Sequence, residues 1–407
     1  MRIVINDYLG HAPQMQLSRA LAGRGHDVLH LYSGDIQTPK ADLARQDGDP
    51  PSLTIEGLSL GRALSRSFFG RRWQEATFGR LVAQRTKSFG PDIVMACNNP
   101  LDVQSRLQAA CNGAKIPFVY WMQDFQSLEI DRMIAGRGAI MNIAVGGYYH
   151  GLERKLLQRS EAIVPIADDM LSILSESWEV FERQCMVVRN WSPLDRLTPG
   201  NKDNDWSRAN GLAGRKIALY TGSLGAMENP MLLVELAERL RDRSDTLVLV
   251  VSSGPGADQI ARESSARGLA NLRVMPFQPY EHYGDVLASA DVLLAMVSGQ
   301  AGVLYVPSKA SSYLCAGRAI VIAAPWQNLA ATTVQESQGG RVVTADHASE
   351  MADAVATLIT DDSLRTQMAT QARSYAERMF EISKIADRFE RLFERLRTGT
   401  PRHRLPQ

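Results

Sequence analysis

The segment at residues 290–324, ADVLLAMVSGQAGVLYVPSKASSYLCAGRAIVIAA, constrains the fold of this chain more than any other stretch. Residues 291–295 and 319–323 are short apolar runs, typical of strands in a parallel sheet that is buried on both faces. Between them, the side chain of Ser308 is predicted to cap a helix that Lys309 opens and Gly317 ends. Open α/β sheets bind phosphorylated ligands where a strand-end loop enters such a helix.

We interpret this strand-loop-helix segment as part of a nucleotide-sugar site. The diphosphate of such a ligand would meet the ammonium of Lys309 and the backbone N–H groups at the helix start. The alternative is an ordinary helix start in which Lys309 is a solvated surface charge. The segment alone leaves both interpretations open.

The rest of the chain repeats the same strand–helix alternation in two series. A chain of 407 residues exceeds one typical core, which favours two domains. Residues 190–214 contain prolines, glycines, Asn and Asp without an apolar run, and therefore predict a linker. The predicted strands are 2–5, 27–32, 92–96, 117–121, 162–165 and 186–189 before it, and 216–220, 246–251, 272–275, 291–295, 319–323 and 341–343 after it.

These series predict an α/β protein of two doubly wound parallel-sheet domains, whose strand-end faces would oppose each other across a cleft. The predicted boundaries are 1–190 for the first domain, 191–214 for the linker and 215–375 for the second domain. A final helix at 376–397 carries an apolar stripe at helical period. We expect this helix to cross back and pack on the first domain.

Composition excludes several other classes of protein. The net charge of +1 does not indicate a nucleic-acid-binding protein. No run of apolar residues approaches the roughly 20 that are needed to span a bilayer. The four cysteines lack metal-ligand spacing, so we expect buried, reduced thiols and no metal site. The first ten residues, MRIVINDYLG, are predicted to form a buried strand rather than a signal peptide, which favours a cytoplasmic location.

Several local strings together resemble family 4 glycosyltransferases of the GT-B fold. YTGSLG at 220–225, SSGPG at 252–256 and LRVMPFQPYEHYGDVLASADVLLAMV at 272–297 resemble the opening, the Gly-rich turn and the base-contacting region of that family's second domain, and VVRNWSPLDRLTP at 187–199 resembles its linker entry. VPSKASSYLCAGR at 306–318 and FVYWMQDFQ at 118–126 are most similar to bacterial exopolysaccharide enzymes of the colanic-acid and O-antigen type.

The chain departs from that family's pattern at the donor site. Most members carry two Glu residues with seven residues between them, and the matching residues here are Leu304 and Ser312. Most also carry an Arg and a Lys that face the diphosphate, where this chain has Ser223 and Glu228. We interpret these losses as a subfamily trait, with an inactive enzyme as the alternative.

The resemblance and the strand-end positions together predict a donor site on the second domain. Charge on a leaving diphosphate is stabilised by cations and N–H donors aimed at it. Lys309 is the predicted cation, and the Ser308 amide with the Gly222 and Gly225 backbone are predicted neutral donors. The predicted donor-binding residues are Gly222, Ser223, Ser253, Gly254, Phe277, Ser308, Lys309 and Ser312.

On the first domain, Gln123 and Asp124 follow a predicted strand and are the candidate catalytic residues. Asp124 would orient the acceptor hydroxyl or stabilise positive charge on the sugar, and Gln123 would hydrogen-bond a sugar hydroxyl. The alternative for Asp124 is a cap of the next helix. Gly10 and His11 follow the first strand and are predicted on the acceptor side, although this loop lacks a full GxGxxG pattern.

The stretch from 60 to 90 combines basic and aromatic residues. An apolar and basic helix fits docking on anionic lipid, and Phe69, Arg71, Arg72 and Trp73 are the predicted membrane contacts. The alternative is an amphipathic helix whose aromatic rings pack on the first domain. The basic residues, offset only by Glu75, are Arg62, Arg66, Arg71, Arg72, Arg80, Arg85 and Lys87.

The sequence therefore predicts a retaining glycosyltransferase that moves a sugar from a nucleoside-diphosphate sugar to a lipid-linked, polyprenyl-type or saccharide acceptor in exopolysaccharide or O-antigen synthesis. We expect a peripheral location on the inner face of the bacterial membrane, with no cofactor, no metal and no nucleic-acid partner. Two alternatives are a sugar-nucleotide epimerase of the same fold and a non-catalytic GT-B scaffold of a polysaccharide assembly complex.

Overall fold

The computed structural model describes residues 1–36, 43–65, 67–135, 138, 142–225, 227–299 and 307–399. The chain divides into two compact units, Met1–Arg189 with Ile382–Gln407, and Asn190–Glu381. Each unit is built on one parallel sheet with helices between its strands. Among the described residues, twelve strands form two six-stranded sheets, as an α/β GT-B fold requires.

The first sheet has the order β3-β2-β1-β4-β5-β6, and every adjacent pair is parallel. Its central strands are almost continuously buried because helices cover both faces, so their sequences lack polar alternation. The strands are β1 (Arg2–Asp7), β2 (Asp27–Ser33), β3 (Leu53–Leu58), β4 (Ile93–Cys97), β5 (Phe118–Met122) and β6 (Ala162–Pro165).

The helices of the first unit connect these strands, and its last helix comes from the far end of the chain. A short π-helix, Asn142–Gly146, precedes α5, and a 3₁₀ turn covers Glu182–Gln184. The helices are α1 (Ala12–Gly23), α2 (Phe68–Phe89), α3 (Leu101–Gly113), α4 (Gln126–Ile134), α5 (Gly147–Gln158) and α6 (Asp169–Trp178).

The second sheet repeats the strand order of the first, read as β9-β8-β7-β10-β11-β12. Its strands are β7 (Lys216–Thr221), β8 (Thr246–Val251), β9 (Leu272–Met275), β10 (Val292–Met296), β11 (Ala319–Ala323) and β12 (Gly340–Val343). The helices are α7 (Asp205–Ala209), α8 (Pro230–Arg239), α9 (Pro255–Ala266), α10 (Tyr283–Ala288), α11 (Lys309–Ala316), α12 (Leu329–Ser337), α13 (Ala348–Thr360) and α14 (Asp362–Met379).

In the first unit one strand was not predicted, and one predicted strand is absent from the structure. β3 was missed because its sequence, LTIEGL, is an edge strand with exposed and half-buried positions rather than an apolar run. Residues 186–189 form no strand, although the N–H groups of Met186 and Val188 donate to the carbonyls of Ile163 and Pro165. Pro165 has no N–H to donate in return, so the ladder does not extend.

The predicted terminal helix at 376–397 is two helices in the structure. α14 ends at Met379, and α15 (Ile382–Thr398) begins after a break at Phe380. α15 belongs to the first unit, as the crossing-back prediction required. Its Glu390 accepts hydrogen bonds from Arg24 and His26, and the ring of Phe389 lies 5.1 Å from that of Trp121.

The segment predicted as a linker has structure of its own. Residues 190–214 lie in the second unit and include α7, whose Asn204 cap accepts a hydrogen bond from the Ser207 backbone. All four cysteines are free and buried, as predicted, and burial raises the pKa of Cys111, Cys185 and Cys315 to about 12. Within the described ranges, no helix is both long and apolar enough to cross a bilayer.

Candidate active site

The strand order of the second sheet reverses direction between β7 and β10, and the predicted donor residues gather at the carboxyl ends of these strands. Such a reversal opens a crevice that binds ligands in doubly wound sheets. β7 ends at Thr221 and is followed by Gly222 and Ser223. Residues 300–306, between β10 and α11 in the chain, lie outside the described residues. The site therefore combines the β7 turn with the start of α11.

Lys309 is the first residue of α11, and its ammonium group is buried against the β7 turn. Its Nζ donates to the Tyr220 hydroxyl at 2.8 Å and to Glu228 Oε1 at 3.1 Å. The Lys309 side chain is only 10% exposed, so it is not the solvated surface charge of the alternative interpretation. Burial lowers the pKa of Lys309 below 10.5, and the charge of Glu228 opposes that shift.

Glu228 was not predicted to meet Lys309, and it changes the electrostatics of the site. Glu228 as a whole residue is 6% exposed, and its Oε2 accepts a hydrogen bond from the Gly225 N–H at 3.0 Å. Gly225 was predicted as a free donor to the ligand, but its N–H already has this acceptor. Lys309 and Glu228 form a neutral pair in the structure, so a diphosphate must compete with Glu228 for the ammonium.

The start of α11 also differs from the sequence prediction at Ser308. Ser308 is exposed, has helical dihedral angles and makes no capping hydrogen bond with its side chain. The predicted side-chain cap is therefore absent. The first N–H groups of α11 consequently have no capping side chain among the described residues.

Two glycines near the site adopt backbone conformations that other residues rarely take. Gly222 has φ 118°. A Cβ atom at this position would lie 3.2 Å from Cε of the Lys309 side chain. Gly254 has φ 100° and ψ −172° before α9, and a Cβ there would meet no atom within 4 Å. Open space beside a glycine-only backbone fits the close approach of a ligand predicted for this turn.

The other predicted donor residues surround these turns. Ser223 and Ser253 are exposed, and Ser253 Oγ accepts a hydrogen bond from the Phe277 N–H at 3.1 Å. The ring of Phe277 is 45% exposed. Ser312 lies one turn into α11, with its Oγ 3.0 Å from Ser192 Oγ. Leu304, the other position where the family carries Glu, lies outside the described residues.

In the first unit, the corresponding strand reversal lies between β1 and β4. Gly10 has φ 74°, and the His11 N–H donates to the Asp7 carboxylate. Asp7 is fully buried and also accepts a hydrogen bond from Asn98 at 2.9 Å. Burial raises the pKa of Asp7, while the positive charge of His11 opposes the shift. Asp7 is a functional candidate that the sequence prediction missed, although its position at the end of β1 was a usable signal.

Asp124 follows β5 and does not cap α4, which removes the alternative interpretation of this residue. The cap is supplied by Glu153 of α5, whose carboxylate oxygens accept hydrogen bonds from Gln126 N and Ser127 N, both at 3.0 Å. Burial raises the pKa of Asp124 from 3.8 to about 7, and the charges of Glu129 and Glu153 add to the shift. A carboxyl that titrates near neutral pH can accept or donate a proton.

Gln123 is half-buried beside Asp124, at the same carboxyl edge of the sheet. β4 and β5 are neighbours, and Gln126 Nε2 donates to the Asn99 carbonyl at 2.7 Å. The strand ends therefore bring the β1, β4 and β5 loops to one edge, as the parallel order requires. Within the described ranges, no group of three or more His, Cys, Asp or Glu side chains is arranged to hold a metal ion.

The aromatic residues at the start of α2 face outward rather than into the core. Phe69 is 79% exposed and Trp73 is 55% exposed, whereas Phe78, two turns later, is buried. The inward-packing alternative therefore describes Phe78 but not Phe69 or Trp73. Met133 and Ile143, near the end of α4 and in the π-helix, are also 69% and 76% exposed.

The basic residues of α2 are less available than their sequence implied. Arg71 Nε donates to Glu75 at 2.6 Å, and Arg72 lies 3.5 Å from Asp102 with its guanidinium 4.0 Å from the centre of the Tyr148 ring. These pairs lower the net positive charge that α2 presents. Arg66 lies outside the described residues.

Comparisons with known proteins agree with this architecture. A family model described as "Glycosyl transferase 4-like domain" matches residues 12–191, and one described as "Glycosyl transferases group 1" matches residues 202–375. The protein from Escherichia coli K12 described as "Putative colanic acid biosynthesis glycosyl transferase WcaI" is 26% identical over 349 residues, covering 83% of this chain and 80% of that protein.

Two solved glycosyltransferase structures share the fold over almost the full chain. Anabaena Alr3699/HepE in complex with UDP and glucose has a TM-score of 0.73 at 15% identity, with 97% of this chain and 99% of that chain covered. WaaG, described as a glycosyltransferase involved in lipopolysaccharide biosynthesis, has a TM-score of 0.67 at 16% identity, with 95% and 99% covered. The two domain matches and these folds show that the chain belongs to the group 1, family 4-like glycosyltransferases of the GT-B fold.

Proposed function

We propose that this glycosyltransferase moves a sugar, with retention of anomeric configuration, from a nucleoside-diphosphate sugar to a lipid-linked or saccharide acceptor in bacterial exopolysaccharide or O-antigen synthesis. The observation that carries the proposal is the buried Lys309 ammonium beside Gly222, at the carboxyl edge of the second sheet. A cation held in a low-dielectric site stabilises the charge that develops on a leaving diphosphate.

In the proposed donor site, the diphosphate and Glu228 compete for the ammonium of Lys309. The diphosphate brings negative charge to an ammonium that Glu228 already neutralises at 3.1 Å. Binding therefore requires the diphosphate to displace Glu228 from the ammonium or to share the ammonium with it. The Gly222 and Ser308 backbone would supply neutral donors, and the turn at Gly254 with the exposed Phe277 ring would receive the nucleoside. The HepE structures with UDP support a uridine nucleotide as the first donor to test.

Asp124 is the proposed group for the acceptor. The acceptor hydroxyl oxygen bonds to the anomeric carbon as that carbon's bond to the diphosphate breaks, and the hydroxyl proton leaves. A carboxyl with a pKa near 7 can hold the hydroxyl in place and exchange this proton at neutral pH. Gln123, Gly10 and His11 are proposed to contact acceptor hydroxyl groups. We also propose that transfer needs no metal, because Lys309 carries the cationic role.

The proposed acceptor is lipid-linked because one surface of the first unit is suited to a membrane. The exposed side chains of Phe69 and Trp73 lie beside basic residues, and Arg62 lies 5.4 Å from the Trp73 ring centre. Aromatic rings insert at the lipid interface, and arginines attract anionic headgroups. This surface supports a peripheral location on the inner face of the membrane. The relatives named for colanic acid and lipopolysaccharide synthesis fit such an acceptor.

The central experiment incubates the protein with UDP-, GDP- and dTDP-sugars and a polyprenyl-diphosphate saccharide, with and without EDTA, and measures released nucleoside diphosphate. NMR of the product determines the anomeric configuration. Hydrolysis without acceptor extension, or a configuration opposite to that of the donor, would contradict the proposal. Interconversion of sugar nucleotides without transfer would instead support the epimerase alternative.

Lys309→Ala tests the donor site directly. Loss of a charge-assisted contact of about 1.5–3 kcal/mol should weaken nucleotide-sugar binding by roughly 10- to 150-fold in calorimetry. The matched control is Lys216→Ala, because Lys216 begins β7 at the opposite end of the strand and forms an ion pair with Asp362 at 3.4 Å. Equal affinity in the folded Lys309→Ala variant would remove this lysine from the site.

A further inference from the structure

A cavity lies at the opposite edge of the second sheet from the candidate donor site. It has a volume of about 550 Å³. Asp291 and Arg318 line it, and these residues immediately precede β10 and β11. The cavity is therefore at the amino-terminal edge of the strands, whereas Lys309 and Gly222 lie at the carboxyl edge. One face of α14 forms another wall.

The lining of this cavity carries an excess of positive charge. Four cationic side chains, those of Lys202, Arg318, Arg365 and Arg373, face the two carboxylates of Asp291 and Glu377. Lys202 pairs with Asp291, Arg373 pairs with Glu377, and Arg365 pairs with Asp362 just outside the lining. Among the described residues, Arg318 has no carboxylate within ion-pair distance.

The arginines are held in place by backbone carbonyls. Arg318 Nη2 donates to the carbonyls of Ala288 at 2.7 Å and Gly200 at 2.8 Å, and Arg373 Nη1 donates to those of Leu197 and Cys315 at 2.8 and 2.7 Å. Ala288 and Cys315 lie in the last turns of α10 and α11, whose dipoles favour a cation. Fixed guanidinium groups lose little conformational entropy when they bind a further anion.

A purely structural role explains these carbonyl contacts, but it leaves donors unused. Arg373 Nη2 has no acceptor within the described ranges, and the Ser374 hydroxyl beside it makes no hydrogen bond there. Lys202 Nζ uses one acceptor, Asp291, and can donate twice more. Unused donors and unpaired positive charge around a cavity of ligand size are features of an anion site.

We propose that this cavity binds a phosphorylated small molecule, separate from the sugar donor, through Arg373, Lys202 and Arg318. A phosphate group would accept from Arg373 Nη2, Ser374 Oγ and Lys202 Nζ and neutralise the excess charge. Its binding would join residues 199–202 to α14, and therefore stabilise the second unit. The proposal does not depend on which donor or acceptor the enzyme uses.

The test measures binding of inorganic pyrophosphate and of glycerol 3-phosphate by calorimetry at low salt. All measurements use the full chain carrying Lys309→Ala, which suppresses phosphate binding at the donor site. Arg373→Gln removes the main donor. Thr370→Glu adds a carboxylate to the lining at an exposed position of α14 and leaves the arginine contacts intact. The matched control is Gln367→Glu, which makes the same charge change on α14 outside this cavity.

We expect at least one probe to bind at a single saturable site. Thr370→Glu and Arg373→Gln should each lower the affinity of that site about tenfold or more, and Gln367→Glu should change it little. Binding of pyrophosphate alone would narrow the ligand to a polyphosphate. If Arg373→Gln does not fold, Thr370→Glu still decides the result. The proposal is overturned if neither probe binds the Lys309→Ala protein at millimolar concentration, or if the two Glu variants weaken binding equally.

Discussion

Asp124→Asn should stabilise the protein at neutral pH and at the same time lower its activity. Asp124 caps no helix and accepts no hydrogen bond from the described residues, and its pKa is raised from 3.8 to about 7 by burial and by the charges of Glu129 and Glu153. Ionised Asp124 is therefore disfavoured in the folded state. Asparagine has nearly the same shape and carries no charge, so it removes this penalty.

The magnitude and its pH dependence follow from the two pKa values. Below pH 3.8 the carboxyl is protonated in both the folded and the unfolded state, and the penalty is absent. Between pH 3.8 and about 7 the unfolded state loses its proton first, so folding stability falls as pH rises. Each pKa unit corresponds to about 1.36 kcal/mol, so Asp124→Asn can raise the free energy of unfolding by at most about 4 kcal/mol. We expect a gain of about 1–3 kcal/mol, because the half-buried carboxyl keeps some contact with solvent.

Urea unfolding of both proteins from pH 4.5 to 8, followed by tryptophan fluorescence, measures this difference. The stability gained by Asp124→Asn should grow with pH and level off above pH 7. In the transfer assay, turnover should fall by roughly 100-fold or more, with donor affinity little changed. A variant that is less stable than the wild type at pH 8, or that gains the same stability at every pH, would refute the argument. Full activity per folded molecule would refute the proposed role.

Three further substitutions test separate parts of the structure. Phe69→Ala should lower binding to anionic vesicles by roughly 10- to 150-fold, because burying a Phe side chain contributes about 1.5–3 kcal/mol. Phe181→Ala removes a ring that is 62% exposed elsewhere on the first unit, and it should leave vesicle binding unchanged. Gly254→Ala should lower the free energy of unfolding by about 1–3 kcal/mol, measured by thermal unfolding, because φ is 100° at this position. Gly284→Ala in α10 should be neutral or stabilising, because the added Cβ would meet no atom within 4 Å. Glu153→Gln should destabilise the first unit by about 1–3 kcal/mol in urea unfolding, because an amide offers the two α4 N–H groups only one oxygen acceptor. The membrane argument is contradicted if both Phe variants bind vesicles equally, and the backbone argument is contradicted if both Gly variants are equally stable. An unchanged unfolding midpoint for Glu153→Gln would contradict the capping argument.

The sequence predicted the strand framework because the signal for a buried parallel strand is local. Short runs such as 246–251 and 319–323 contain almost only apolar residues, and the structure places strands on these same residues. Edge strands lack that signal. β3 pairs on one side only and contains Thr, Glu and Gly, so its sequence resembles a loop. The break between α14 and α15 was also missed, because Met379 and Ile382 on either side of it fit the helical apolar period.

The sequence also placed the main site residues on the correct elements. Lys309 begins α11 and Asp124 follows β5, because a parallel α/β fold brings strand ends and helix starts to one edge. The functional roles assigned to these residues remain predictions. What the sequence determined by itself is therefore the fold class, the order of its elements and the edge of each sheet that carries polar side chains.

The tertiary structure alone decided which charges meet. Glu228 lies 81 positions from Lys309 in the chain and neutralises it. Glu153 lies 27 positions from Gln126 and supplies the α4 cap that was the alternative role considered for Asp124. No local pattern encodes such pairs, because a buried charge is compensated by whichever partner the packed elements bring within a few ångströms. The protonation of Asp124 and the charge balance at Lys309 therefore depend on packing, although their positions could be predicted from the sequence.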